Sequence, residues 1–406
     1  MTRTNEAQAT PDARLRIAIV ATHPIQHFVP FYRALALEPG LSVHVFFASR
    51  IGLDEYFDRE MNAAVKWSMD LTSGYDHTFL PGADRIKQSS FLEMNNRFVG
   101  AALDQYQPDA VVIYGYSNLT ALRAIFRALM RRFPILLISD SELLRERSAL
   151  RDRIKNLLLP MLAASIFGVL AVGDRNEEYW TRFGVKPARL FRTPFTIDEA
   201  TYRGVRARRD QIRAAWRAEH GIGPDEVVFL AVGKLSERKR QADILLALRI
   251  AAKAGPLRVV LAGDGADRPA LEQQAAAAGL PVTFLGFVNL DALPSAYAAA
   301  DVLVHASWSD PHPLVFSEAA CVGLPIIASD RIGAVGPTDV ARPGENVIVY
   351  PVGDVDRLAA AMVELATDGA RRAAMGEASL RIFETQQTSV SVAGLRSAAE
   401  AANGLA

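Results

Sequence analysis

The stretch EVVFLAVGKLSERKRQADILLALRIAAKAGPLRVVLAGDG, residues 226–265, spells out the repeating unit of the architecture. Its first run, Glu226–Val232, is apolar without alternation, as expected of a strand covered on both faces. A glycine ends the run, a basic loop follows, and RQADILLALRIAAKAG has the spacing of a helix. LRVVLAG then supplies a second buried strand. Strand, crossover helix and strand together predict a parallel α/β sheet.

The same rhythm runs outward in both directions. Downstream come strand VTFLG, helix LPSAYAAA, strand DVLVHAS, helix VFSEAACVG and strand PIIAS. Upstream, apolar runs at Arg16–Ala21, Ser42–Ala48, Asp109–Tyr114, Phe133–Ser139 and Ile166–Val172 alternate with helical stretches such as FVPFYRALAL and LTALRAIFRALMRR. Between the two series, Phe195–Gly223 is rich in Arg, Thr and Gly, and DQIRAAWRAEH is its one clear helical segment. The resulting division is a polar tail over 1–15, a Rossmann-like domain over 16–197 and a linker over 198–224. A second Rossmann-like domain follows over 225–380, then a helical tail over 381–406 for which docking back on the first domain is one arrangement. Two such domains in tandem place a cleft where the carboxyl ends of both sheets face each other, the edge at which α/β sheets bind ligands.

Composition narrows the chemistry. The chain has 406 residues, 50% of them apolar, which excludes a disordered or fibrous protein. Forty-five Lys and Arg balance forty-five Asp and Glu, so overall charge gives no reason to expect nucleic-acid binding. Cys321 is the single cysteine, so neither a disulfide framework nor a cysteine-rich metal site is expected, and a reducing compartment fits. The polar start lacks the apolar core of a signal peptide. Leu157–Val172 is too short for the ~20 apolar residues of a membrane span and reads as a core helix entering a buried strand. Neither GxGxxG nor GxxxxGK[ST] occurs after a strand, which disfavours a dinucleotide enzyme and a P-loop ATPase.

Three segments at predicted strand ends carry chemistry. In Gly233-Lys234-Leu235-Ser236-Glu237-Arg238-Lys239, the glycine lets the backbone turn closely, and Lys234 and Lys239 are placed to meet a diphosphate; a solvated basic loop is the plain alternative. Gly263-Asp264-Gly265 permits close approach of a ligand or of a neighbouring loop. In His305-Ala306-Ser307-Trp308-Ser309-Asp310-Pro311-His312-Pro313-Leu314-Val315-Phe316-Ser317-Glu318, a strand gives way to a loop and then a helix. Asp310 falls in the loop facing the cleft, and Glu318 falls in the first turns of the helix among apolar neighbours. Two carboxylates so separated can grip polyol hydroxyls through charged hydrogen bonds.

The order of these elements resembles the family-4 class of retaining, nucleotide-sugar-dependent glycosyltransferases of the two-domain GT-B type, over roughly Val227–Leu365. The resemblance implies that Gly233, Lys234 and Lys239 bind the donor diphosphate, with Lys234 where the family usually has Arg. It further implies that Asp310 and Glu318 occupy the family's paired acidic motif, the first shortened from Glu, with Asp310 meeting the transferred sugar and Glu318 the ribose. Gly263, Leu314 and Val315 complete the implied donor set, and Lys239, Asp310 and Lys234 are the residues expected to act in catalysis. In the first half, Thr22-His23-Pro24-Ile25-Gln26-His27-Phe28 resembles a subgroup that meets acceptor and donor phosphates there, so His23, Gln26, His27 and Tyr116 are expected on the acceptor side. Relatives often carry a histidine near Gly115 and Tyr116, and this chain does not.

The implied activity is transfer of a sugar from a nucleoside diphosphate sugar to a hydroxyl on a glycan, a lipid-linked or a small-molecule acceptor, with no cofactor and no bound metal. A sugar phosphorylase or nucleotide-sugar epimerase on the same fold, and a catalytically silent nucleotide-sugar-binding subunit, are the rival readings. A cytoplasmic setting is expected, with one further feature. Arg123, Arg127, Arg131 and Arg132, then Arg147, Arg151 and Arg153, lie beside apolar helical segments, a pattern suited either to peripheral contact with the inner face of the cell membrane or to ordinary solvated helix sides.

Overall fold

The computed structural model describes residues 14–58, 63–144 and 149–405. The first half runs β1 (Leu15–Ala21), α1 (Val29–Ala36), β2 (Leu41–Phe47), a hairpin of β3 (Tyr56–Asp58) and β4 (Ala63–Val65), β5 (His77–Phe79), α2 (Val99–Tyr106), β6 (Ala110–Tyr114), α3 (Leu119–Arg131), β7 (Ile135–Ser139), α4 (Ala149–Ser165), β8 (Gly168–Ala171), α5 (Asp174–Arg182) and β9 (Leu190–Arg192). Seven of these strands form one sheet in the order β5-β2-β1-β6-β7-β8-β9, every pairing parallel. Ile17, Ile19, Val112 and Leu136 bury one face, while Ala18, Val20, Val111 and Leu137 bury the other.

The second half continues with α6 (Glu199–Ala207), α7 (Arg209–Glu219), β10 (Val227–Val232), α8 (Gln241–Ala251), β11 (Leu257–Ala262), α9 (Arg268–Ala277), β12 (Val282–Gly286), α10 (Leu293–Ala299), β13 (Val302–His305), α11 (Leu314–Val322), β14 (Ile326–Ser329), β15 (Val347–Tyr350), α12 (Val355–Thr367), α13 (Gly369–Phe383) and α14 (Thr388–Ala402). Its six-stranded parallel sheet has the order β12-β11-β10-β13-β14-β15. The reversal between β10 and β13 places a crevice at their carboxyl ends.

Three expectations change on contact with the structure. Residues 198–224, with DQIRAAWRAEH as the one helical segment expected, hold two helices, α6 and α7. Along α7, Arg209, Arg213 and Arg217 share one face and donate to the carbonyls of Ala298, Ala299 and Ala300 at the end of α10, with Arg213 and Arg217 also pairing Asp301. Those carbonyls lack intrahelical donors, so the arginines that read as linker composition serve as a helix cap. In α4, only Leu159 and Ala163 are buried, and Leu157, Leu158 and Met161 stand in solvent. The reading of that segment as core holds only from Ile166 onward. On α3, Arg127 and Arg131 are engaged by Asp104 of α2, which removes them from any solvated basic stripe.

At the other end of the chain, α14 lies on the first sheet, with Val392, Leu395, Ala398 and Ala399 packed beside α1 residues Phe31 and Leu35. Burial of Val392 and Leu395 alone contributes about 3–6 kcal/mol to that docking. Most of the polar N-terminal tail, along with Arg145 and Arg147, lies outside the described residues.

Candidate active site

The carboxyl edge of the second sheet is built from three loops that close on one another. Gly233 and Gly263, both at positive φ, end β10 and β11. A Cβ on Gly263 would fall 1.9 Å from the Gly233 carbonyl oxygen, and one on Gly265 would fall 2.2 Å from that of Leu235. No side chain fits at either position. Leu235 N–H donates to Asp264 O, and Asp267 N–H to Leu235 O, which completes the seam. From the β13 end, the Ser307 hydroxyl and the Trp308 N–H both donate to the Arg238 carbonyl. Gly263 therefore serves in the structure as a loop-packing glycine, the neighbouring-loop alternative left open by its sequence.

Within this seam the Lys239 ammonium donates to Asp310 Oδ2 at 2.5 Å, and His305 Nε2 lies 3.0 Å from the same oxygen. Burial works against ionisation of Asp310, yet the His305 and Lys239 contacts outweigh it and hold the carboxyl well below its usual range. Burial lowers the His305 pKa, against the pull of the Asp310 carboxylate. Of these three residues the sequence reading singled out Lys239 and Asp310 but not His305, whose position at the very end of a strand was the available signal. Lys234, from the same loop, reaches the first domain and contacts both Asp58 oxygens at 3.2 and 3.0 Å.

Leu314 and Val315 form the first turn of α11, half-buried, with their backbone amides at the helix start. Glu318 sits one turn further on and is buried; Tyr297 of α10 donates to its Oε2 at 2.5 Å. Burial raises the Glu318 carboxyl above its ordinary range, with the Tyr297 and Tyr202 hydroxyls opposing the shift. The two predicted carboxylates thus differ in kind: Asp310 is charged and cation-paired, whereas Glu318 is tucked under α10.

Across the cleft, the turn after β1 carries His23, Gln26 and His27. The His27 ring lies 5.1 Å from that of Phe195, which in turn lies 5.2 Å from His312 in the Asp310 loop. Burial, reinforced by the nearby His312 and His23, lowers His27 to about 3, and burial lowers His23 and His312 to about 4. Tyr116 stands apart from this group. Its hydroxyl lies 2.7 Å from that of Tyr179, and its ring lines a cavity of about 1000 Å³ between the domains. Asp140 and Glu142 line the first-domain side of that cavity, and Arg238, Trp308 and Arg331 line the other. Asp140, one residue past β7, is open to the cavity. Burial of its surroundings raises its carboxyl, helped by the charges of Asp310 and Glu142. Neither His312 nor Asp140 was legible as a site residue in sequence.

Residues 212–381 match the family described as "Glycosyl transferases group 1". The second domain of this chain is similar to that family. It is 31% identical over 171 residues to an uncharacterized glycosyltransferase of Methanocaldococcus jannaschii, an alignment covering 40% of this chain and 43% of that one. It is 34% identical over 177 residues to a GDP-mannose-dependent alpha-mannosyltransferase of Mycobacterium tuberculosis, covering 42% and 43%. These matches span less than half the length of each curated relative. The fold is shared over a longer stretch: the crystal structure of Anabaena HepE in complex with UDP and glucose superposes with a TM-score of 0.68 at 15% identity, covering 97% of this chain and 100% of that one. The architecture is GT-B, two Rossmann-like domains facing across a cleft.

The second domain is clasped to the first through Asp339. Asp339, wholly buried, accepts from the backbone N–H of Asp174 at the start of α5, and Arg192 bridges Asp174, Glu177 and Asp339. Burial, together with the Asp174 charge, raises Asp339 to about 7, against the pull of Arg192. Gly173 and Gly336 make this contact possible, since a Cβ on either would meet an aspartate oxygen of the clasp at 2.5 or 2.3 Å.

Proposed function

We propose that the protein is a retaining glycosyltransferase that moves a sugar from a nucleoside diphosphate sugar to a hydroxyl acceptor in polysaccharide or glycoconjugate synthesis. The observation that carries this reading is the Lys239–Asp310–His305 cluster at the glycine-closed edge of the second sheet. In the reaction the bond from the anomeric carbon to the diphosphate oxygen breaks, and charge grows on the departing diphosphate. Lys239, Lys234 and the first amides of α11 at Leu314 and Val315 are the groups that offset it. Gly233 keeps the loop low enough for the diphosphate to approach.

Both contacts to Asp310 fall on Oδ2, so Oδ1 is the oxygen that accepts a hydroxyl of the transferred sugar. Glu318 takes the ribose, its carboxylate oriented by Tyr297. The acceptor lies on the first-domain side, met by Tyr116, His23, Gln26 and His27, whose imidazoles stay neutral at pH 7 and add no charge to compete for the diphosphate. No metal or cofactor is part of this scheme. The names of the M. tuberculosis relative and of the HepE complex, one specifying GDP-mannose and the other UDP with glucose, support a nucleotide sugar as donor. A cytoplasmic site of action goes with the reading, supported by the single buried Cys321.

Incubation with a panel of UDP- and GDP-linked sugars tests the proposal. Release of nucleoside diphosphate, or transfer to a hydroxyl acceptor with retained configuration, is the expected outcome. Binding without turnover would instead establish the silent nucleotide-sugar-binding subunit, a reading favoured by Asp310 standing where the family usually has Glu and by the lack of a histidine near Gly115 and Tyr116. Absence of both would remove the nucleotide sugar altogether.

A further inference from the structure

The outer helices of the first domain expose more apolar surface than a solvated face needs. On α4, Leu150, Ile154, Leu157, Leu158 and Met161 are between 49% and 68% exposed. At about 100° per residue these five fall within an arc of about 100°, on the side of the helix opposite buried Leu159 and Ala163. On α3 the exposed apolar residues are Leu122, Phe126, Leu129 and Met130. The edge of α3 bearing Arg127 and Arg131 is held by Asp104 of α2, so Leu122 and Leu129 lie on the opposite edge. α3 and α4 follow consecutive strands of a parallel sheet and share one core beneath them, so that opposite edge of α3 is the one beside α4. The two stripes face outward from successive crossovers of the same sheet, and exposed apolar stripes of this kind mark interaction sites.

Charge indicates the occupant. Arg151 and Arg153 flank the α4 stripe on its two sides, and Arg132 closes the end of α3; all three are exposed. Among the described residues none of the three has an ion-pair partner. Asp152, the acidic residue between the two α4 arginines, lies on the arc of Leu159, away from the stripe. An apolar band edged by arginines matches the interface of a bilayer that contains anionic lipid. No described helix is long and apolar enough to cross a membrane, so contact would be peripheral.

We propose that the α3–α4 face docks on an anionic phospholipid bilayer and presents the interdomain cavity to an acceptor carried in that bilayer. The cavity is the link between surface and site, because Lys155 of α4 and Leu144 just ahead of that helix both line it. The lipid-borne acceptor rests on the glycosyltransferase reading, whereas the docking surface stands on its own observations.

The test is flotation of the full chain with vesicles of phosphatidylcholine alone or with phosphatidylglycerol, at low and high salt. Recovery with the phosphatidylglycerol vesicles at low salt is expected. A Phe126→Ser/Leu157→Ser/Met161→Ser variant, which alters exposed side chains only, should lose binding at least tenfold. Arg151→Gln/Arg153→Gln should lose about 25-fold at low salt, about fivefold per arginine. Both variants should retain the parent's melting temperature and its hydrolysis of donor in solution. No flotation, equal flotation on neutral vesicles, or a concentration-dependent dimer abolished by the serine substitutions would each overturn the docking surface. Vesicle binding without any turnover on the sugar panel would leave docking in place and defeat the activity, so the two readings fail separately.

Discussion

The two domains share an architecture and differ in how their cleft edges are made. In the second, the loops after β10, β11 and β13 are joined by backbone hydrogen bonds and by glycines that admit no side chain. In the first, the edge facing them is formed by side chains standing into a cavity, among them Tyr116, Asp140 and Glu142. The family match falls on the seamed half. A rigid edge suits a ligand part that is the same in every donor, the diphosphate, since preorganised donors stabilise charge without rearranging. An edge of side chains suits a variable acceptor, because exchanging one residue re-shapes the pocket without disturbing the sheet.

The sharpest break of this contrast is Lys239→Ala. If the seamed edge holds the diphosphate, loss of this cation should lower kcat/KM by about 10²–10³, the cost of removing one oriented donor. Steady-state rates with the donor identified by the panel would measure it, and a rate within twofold of the parent would remove Lys239 from the site. Asp140→Asn probes the opposite edge. A carboxylate bonded to an acceptor hydroxyl contributes about 1.5–3 kcal/mol, so transfer to the acceptor should fall by about 10–100-fold while donor hydrolysis by water stays near the parent rate. Equal loss of both would place Asp140 on the donor and erase the division between the edges.

Legibility in sequence followed the same division. The strands β10 to β14 stood out because each is a mostly apolar run ended by glycine or a polar loop. The three-residue strands β3, β4, β5 and β9 are too short to show any period, and they were missed. Lys239 and Asp310 were identified separately, but their contact was not, because only the β10–β13 pairing brings their loops together. The arginines of α7 look like linker composition until the end of α10 is seen beneath them. The apolar run at Leu157 does not reveal which of its sides has a partner. Burial is a property of neighbours, and neighbours are set by topology.

The clasp between the domains gives a third test, with a defined sign. Asp339 titrates near 7 in the folded protein and near 3.8 unfolded, so between those values the folded state holds a proton that the unfolded state has lost. Its contribution to stability therefore declines as pH rises from about 4 to 7. Asp174, held below its ordinary range by the Thr338 and Arg192 contacts against its own burial, acts in the opposite sense but finishes titrating below that window's upper half. Asp339→Asn keeps the shape and cannot ionise. Parent and variant should melt alike near pH 3.5, and the variant should gain as pH rises from about 4 to 7, by up to about 1.4 kcal/mol per unit crossed. Thermal melts across that range decide it, and a constant difference between the proteins would show that Asp339 is ionised throughout.

The smallest expected effect comes where the two edges touch. Lys234 belongs to the seamed loop, yet its ammonium contacts Asp58, at the end of the β3 strand of the first domain. If Lys234 serves the diphosphate, an incoming donor competes with that carboxylate for the same cation. The pair is partly exposed, with 30% of the lysine side chain and 15% of the aspartate side chain accessible, so its net strength is that of a surface ion pair, about 0.2–1 kcal/mol. Asp58→Asn should therefore tighten binding of a nucleoside diphosphate by no more than about fivefold, and the gain should shrink at high salt. Calorimetric titration at two salt concentrations would read both features. A weaker affinity in the variant would reverse the relation, making Asp58 a group that positions Lys234 for the diphosphate, and the donor site would then be a joint construction of both domains.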